Sequence, residues 1–274
     1  MVEFLSQYGV LILALVGCGL FSGLAAGLFG IGGGAIIVPV LIILFENLGY
    51  GDTASHVAIA TSLATIILTS ARSVMAHHKR GAVDWTIIRT WGPWIMAGAV
   101  VGQLLAGVMS AQALKGFFGA MALLLAAQLF FGRPGWTLAR DMPRGAVRAG
   151  LGSGVGTLSA LMGIGGGTFG VSLMTLCGRT IHQAVATAAG FGIAIGLPSA
   201  ITAIFVGWGH DGLPPFSLGY VNLAAFGLIS LFTVTMAPVG AWLAHRMDAG
   251  LLKKLFAILL ALVAVRMIWT VIAG

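Results

Sequence analysis

Two glycine clusters, Gly30-Ile31-Gly32-Gly33-Gly34 and Gly163-Ile164-Gly165-Gly166-Gly167, are the groups best suited to hold a ligand through backbone alone. Glycine costs about 1 kcal/mol per residue in a helix interior, so three in succession interrupt one. Without a Cβ, consecutive N–H groups converge into one concavity, and a helix that starts there adds its positive end. That chemistry suits an anion. The hydroxyls of Thr61, Ser62 and Thr65, of Thr187 as the repeat partner of Thr61, and of Thr168 directly after the second cluster would complete an oxyanion site. Gln103 lies in a face of small residues (Gly98, Gly102, Ala106), and its amide needs partners wherever water is excluded. A competing reading stands beside each feature: tight turns or close packing for the glycines, back-bonding to the i−4 carbonyl for the hydroxyls.

The elements that must position these groups follow from composition. Of 274 residues, 59% are apolar and only 8% charged, against about 25% charged in soluble domains. Apolar runs at 9–29, 57–71, 95–109, 117–132 and 255–273 are long enough to be membrane-helix candidates. The chain therefore reads as an all-α polytopic membrane protein with the lipid bilayer as its main partner. Its net charge of +7 then reports topology rather than nucleic-acid binding. Cys18 and Cys177 read as small packing residues. The first apolar run lacks a basic segment before it and belongs to a repeat, so it is expected to stay in the mature protein.

The glycine clusters are the clearest part of that repeat. Residues 29–41 align with 162–174 at an offset of 133 (163 − 30). Gly19, Gly23 and Gly27 map at that offset onto Gly152, Gly156 and Ala160, a small-xxx-small stripe that lets membrane helices approach closely. His56-x-Ala58-Ile59-Ala60-Thr61 matches His182-x-Ala184-Val185-Ala186-Thr187 at an offset of 126 (182 − 56). Gly102 and Ala106 correspond to Gly240 and Ala244 at 138 (240 − 102). Ordered matches across both halves indicate duplication, with a first repeat over 1–132, a polar linker over 133–145 and a second repeat over 146–274.

Charge selects the threading. If each glycine cluster turns the chain back, each half has five segments and the halves are inverted. Arg72, Lys79, Arg80, Arg89, Arg133, Arg140, Arg144, Arg148, Arg179, Arg246, Lys253 and Lys254 then share the cytoplasmic side: twelve of the fourteen Lys and Arg. A parallel arrangement leaves only eight there, so the positive-inside rule favours inversion with both termini extracytoplasmic. Tyr8, Tyr50 and Tyr220 would sit at the outer interface, and Trp85, Trp91 and Trp94 in an interface belt. The second arms of the hairpins, 35–46 and 168–178, reach only about 17 Å as helix. A bilayer core is about 30 Å thick, so these hairpins are broken or re-entrant.

The remaining polar residues narrow the function. All seven carboxylates fall in predicted loops or at helix ends, whereas proton-driven pumps usually keep one inside the membrane. Export of an anion through an inside-negative potential gains about 2.3 kcal/mol per 100 mV and needs no proton relay. His56 and His182 read as helix-start caps or orienting groups, and His77 and His78 as water-facing loop residues. Arg266 reads as either a counter-charge or a snorkelling side chain. The histidines form no evident membrane-embedded metal cluster, no metal ligands or cofactor are assigned, and no catalytic constellation argues for an enzyme. A divalent-metal or other ion permease is the alternative; a homo-oligomer is left open.

With GIGGG in both halves, Val38-Pro39-Val40-Leu41 after the first, and the HxA[IV]AT segment opening the next helix, the chain resembles the sulfite exporter TauE/SafE family along essentially its whole length. The resemblance implies a secondary transporter that moves sulfite or organosulfonates across the bacterial cytoplasmic membrane. Ser172 stands where Pro39 stands in the first copy, so the two hairpins need not be equivalent.

Overall fold

The computed structural model describes residues 2–131, 139 and 141–272, the side chains at 2–8, 10, 129, 249, 252, 253 and 256 (Tyr8 and Lys253 among them) lying outside the described set. The expectations placed on Arg133, Arg140 and most of the linker fall outside these residues. Ten helices are described: α1 (Val2–Phe29), α2 (Gly34–Asn47), α3 (Gly51–His78), α4 (Trp85–Val108) and α5 (Ala111–Phe131), then α6 (Gly145–Met162), α7 (Gly167–Leu176), α8 (Ile181–Val206), α9 (Leu223–Ala244) and α10 (Ala249–Ile272). Six are long and apolar enough to cross a membrane: α1, α3, α4, α5, α8 and α9. The fold is not wholly helical. Ser217–Leu218 and Val221–Asn222 pair as a minimal antiparallel ladder, β1–β2, in the connection before α9.

Helix packing follows the small residues. Gly19, Gly23 and Gly27 of α1 face Ile229, Thr233 and Ala237 of α9 in ascending order, so these helices run parallel. Gly98 and Gly102 of α4 face Ser153 and Thr157 of α6, again parallel. An added Cβ at Gly23 would lie 2.6 Å from Thr233 Cα, which is why nothing larger occupies the stripe. α3 and α8, which carry the two HxA[IV]AT segments, run antiparallel, with Gly196 against Leu63 and Gly192 against Ser70. So do α5 and α10, with Gly116 against Val271 and Gly119 against Ile268.

The connections segregate by charge. The α3–α4, α7–α8 and α9–α10 connections share one end: Arg80 donates to Ala241 O at 3.2 Å, and the backbone N–H of Asp84 to Thr187 Oγ1 at 3.0 Å. Arg144, Arg148 and Arg179 line one cavity with Asp84 at that end. It is called the basic end below. At the opposite end Lys115 pairs with Glu46, and Thr53 donates to Gly212 O at 3.0 Å.

Candidate functional site

Each long arm runs into its glycine cluster and stops there. Gly30 and Gly163 both take left-handed backbone (φ 69° and 65°) directly after α1 and α6, the conformation that most often ends a helix and that glycine adopts without strain. Beyond that point the copies diverge. Gly32 and Gly33 are also left-handed, whereas Gly166 caps α7 from the right-handed region at φ −59°. The hairpins are thus unequal in their backbones as well as at Pro39 and Ser172.

The two turns touch. The Gly165 N–H donates to Ile31 O at 3.1 Å. A Cβ at Gly34 would press on the Gly163 carbonyl oxygen and lie 2.8 Å from Ile164 Cα; one at Gly167 would press on Gly30 O and Ile31 Cα. These contacts interchange under the 133-residue offset. The outer contacts exchange in the same sense: Gly30 abuts the Val185 carbonyl of α8 and Gly163 lies against Ile59 of α3, and Ile59 and Val185 correspond at the 126-residue offset (185 − 59). Since α2 and α7 both start at this junction, their first N–H groups have no acceptor within their own helices.

Ser62 donates to Gly163 O at 2.7 Å and belongs directly to the junction. Thr168, in the first turn of α7, is buried, and its Oγ1 has no hydrogen-bond partner. Gln103 Oε1 on α4 is likewise buried and unpartnered. Thr65 back-bonds to Thr61 O at 2.9 Å, the local pattern expected of a hydroxyl inside a helix. The structure sets Thr61 and Thr187 apart from the turns. Thr61 Oγ1 accepts the Asn222 N–H at 2.9 Å, and Thr187 Oγ1 accepts the Asp84 N–H at 3.0 Å. Asn222 and Asp84 are the N-caps of α9 and α4, so each threonine fixes the entry of a helix from the other half.

Several expectations are corrected. His77 does not face water: it lies in the last turn of α3 at 1% exposure, with Nε2 3.1 Å from Gly27 O. His78 does stay exposed, and accepts from Trp85 Nε1 at 3.0 Å. His56 is not at a helix start, because α3 begins at Gly51; its ring stacks on Tyr220 at 5.0 Å. Burial of Tyr220 at 3% and Trp91 at 1% removes both from any lipid-facing belt. Arg266 is exposed and is no interior counter-charge.

A polar stripe escaped the sequence reading. Thr61, Thr65, Thr69, Ser73 and His77 recur at i, i+4 along α3 and are all buried. Thr69 donates to Thr233 Oγ1 at 2.8 Å, and Ser73 to Ala26 O at 3.4 Å. The four-residue spacing of polar side chains within an apolar helix was the available signal.

The family model described as sulfite exporter TauE/SafE matches residues 15–267. A Haemophilus influenzae protein named "Probable membrane transporter protein" is 33% identical over 261 residues, covering 94% of this chain and 97% of its own. The Bacillus subtilis protein YunE, named in the same terms, is 26% identical with 88% of each chain covered. A Methanocaldococcus jannaschii protein, again so named, is 24% identical, covering 96% of this chain and 97% of its own. No solved structure matches the chain.

Proposed function

The chain belongs to the sulfite exporter TauE/SafE family, and from that premise we propose that it exports a small sulfur-containing anion, sulfite or an organosulfonate, by alternating access between inverted repeats. Its coarser character, a multi-pass membrane transporter, accords with the six apolar helices and the names of its relatives. The observation that carries the finer reading is the contact between the two glycine turns. Solute passing between the halves must meet this junction, where the Gly165 N–H to Ile31 O bond joins one turn to the other.

Three further observations support it. The repeat partners α3 and α8 run antiparallel, as inversion requires. Two helices begin at the junction and present N–H groups there, a donor set suited to an oxyanion. The buried, unpartnered Thr168 Oγ1 supplies a hydroxyl in the first turn of α7. In this reading the anion is held by N–H groups of Gly30, Gly32, Gly33, Gly34, Gly163, Gly165, Gly166 and Gly167 once the turns separate. Ser62, Thr168 and Gln103 add hydrogen bonds, Thr61 and Thr187 hold the helices that frame the site, and Thr65, back-bonded within α3 in its present state, turns its hydroxyl to the anion. The basic end faces the cytoplasm and both termini lie outside it, in a bacterial cytoplasmic membrane.

Flux through protein-containing liposomes tests the reading. Saturable movement of sulfite or an organosulfonate, tried with sulfite, sulfoacetate, taurine and sulfate, is expected. Saturable Ni²⁺ or Co²⁺ flux with no oxyanion flux would overturn it.

A further inference from the structure

At the basic end three imidazoles from three elements converge: His77 in the last turn of α3, His182 at the start of α8 and His245 just beyond α9. The His77 and His245 ring centroids are 5.5 Å apart; those of His182 and His245 are 5.7 Å apart with planes inclined by 21°. His77 is buried, whereas His182 and His245 are exposed. Leu28 and Val185 complete a cavity of about 20 Å³ between them, room for about one water. Among the described residues lining it, none is acidic.

Hydrogen-bond chemistry orders the protons. Gly27 O can only accept, so His77 Nε2, at 3.1 Å, carries its hydrogen. In a neutral ring His77 Nδ1 is then a bare acceptor, and it takes the hydrogen of His245 Nε2 at 3.4 Å. Of this pair only His245 Nδ1 remains free to bind a proton. A proton there makes a cation beside Arg80, whose guanidinium is tied to Ala241 O and Trp242 O. Arg246 lies over the Trp242 ring at 4.0 Å, and His182 stacks on His245 itself. From α1 come only Leu28 and the Gly27 carbonyl, neither titratable. Positive charge gathered without a carboxylate favours an incoming anion, and the anion in turn favours the proton.

The cluster also abuts the transport junction. His77 grips the last turn of α1 three residues before Gly30, and Val185, which lines the cavity, presents its carbonyl to Gly30. The polar stripe of α3 ends at His77. We propose that His77, His182 and His245 form a proton-binding site at the basic mouth of the bundle, filled together with a small oxyanion on its way to the glycine turns. The anion half of this assignment rests on the transport reading above. Burial lowers the proton affinity of His245, and Arg80 and His182 lower it further; an anion bound beside them opposes that repulsion.

The test is linkage, read on the whole protein in lipid nanodiscs. The titration of His245 is followed by ¹⁵N-imidazole NMR with and without sulfoacetate, whose charge is constant above about pH 5.5. His245→Gln and His182→Gln assign the resonances. Sulfoacetate is expected to raise the His245 midpoint by about one unit. In liposomes the wild-type flux should rise as pH at the basic end falls through the histidine range, and His245→Gln should flatten that profile. An unmoved midpoint overturns the proposal even where flux is intact. A moved midpoint without flux sustains the site and defeats the transport reading instead. An unaltered flux profile in His245→Gln also overturns the proposal.

Discussion

Replacing Gly34 by alanine tests the contact between the turns most directly. The new methyl would press on the Gly163 carbonyl oxygen and lie 2.8 Å from Ile164 Cα, against 3.4 Å for an ordinary contact. At least 0.6 Å (3.4 − 2.8) of separation is therefore needed between two stretches of backbone, which yield less readily than side chains. Overpacking of this kind costs about 1–3 kcal/mol, and rigid neighbours place it near the upper figure. About 3 kcal/mol corresponds to a melting temperature lower by about 6–12 °C in a domain approaching this size. Gly167→Ala meets Gly30 O and Ile31 Cα in the exchanged position and should cost a similar amount. Gly154→Ala is the control: nothing lies within 4 Å of its added Cβ inside α6, so a gain of about 0.5–1 kcal/mol is expected. Thermal unfolding in detergent, paired with sulfoacetate flux in liposomes, measures all three. Gly34→Ala with wild-type melting and wild-type flux would refute the packed junction.

Ser62→Ala leaves the buried Gly163 carbonyl without its 2.7 Å donor and should cost about 1–3 kcal/mol by thermal unfolding. Thr61→Val and Thr187→Val orphan the Asn222 and Asp84 N–H groups. Each should cost about 1–3 kcal/mol and speed amide exchange at the start of α9 or α4 respectively. Burial of His245 favours its neutral form in the folded protein. Its contribution to stability is therefore complete above the unfolded value of about 6.5 and is lost as pH falls through the folded one. Melting temperature should fall with acidification over that window, and by less in His245→Gln. A reporter fused to the C-terminus should be found outside the cytoplasm, and a cytoplasmic reporter would defeat the assigned orientation.

Much of the architecture was legible because membrane helices are read from apolar length and glycine from its own conformational rules. GIGGG marked both helix breaks, and α2 and α7 begin within one residue of the expected second arms. The offsets that relate the halves also relate contacts no periodicity displays, such as Thr61 with Asn222 and Thr187 with Asp84. Those pairings depend on which helices become neighbours, and an alignment of the halves does not state that. His77 was misplaced for a simpler reason: basic residues follow it, but its own ring lies on the inner face of the last turn of α3. His245 and His182 are 63 positions apart (245 − 182), and only the meeting of the α7–α8 and α9–α10 connections brings them together.

The fourth helix of each half changes sides. α1 and α3 pack on α9, with α2 held against α3, while α6 and α8 pack on α4, with α7 held against α8. The covalent halves are therefore not the mechanical ones. A cut through residues 133–145 would separate two fragments, each missing a helix on which its own hairpin bundle packs, and would leave the N-caps of α4 and α9 without their threonine acceptors. In the alternating-access reading proposed above, the bodies that would rock past one another are the two composite bundles, with α3 packed against α8 between them. The two bundles are joined by the α3–α4 and α8–α9 connections and by the packing of α5, which follows α4, on α10, which follows α9. A single half with this exchange, paired with a second copy of itself, would form an interlocked antiparallel dimer whose interface needs no covalent link between the two.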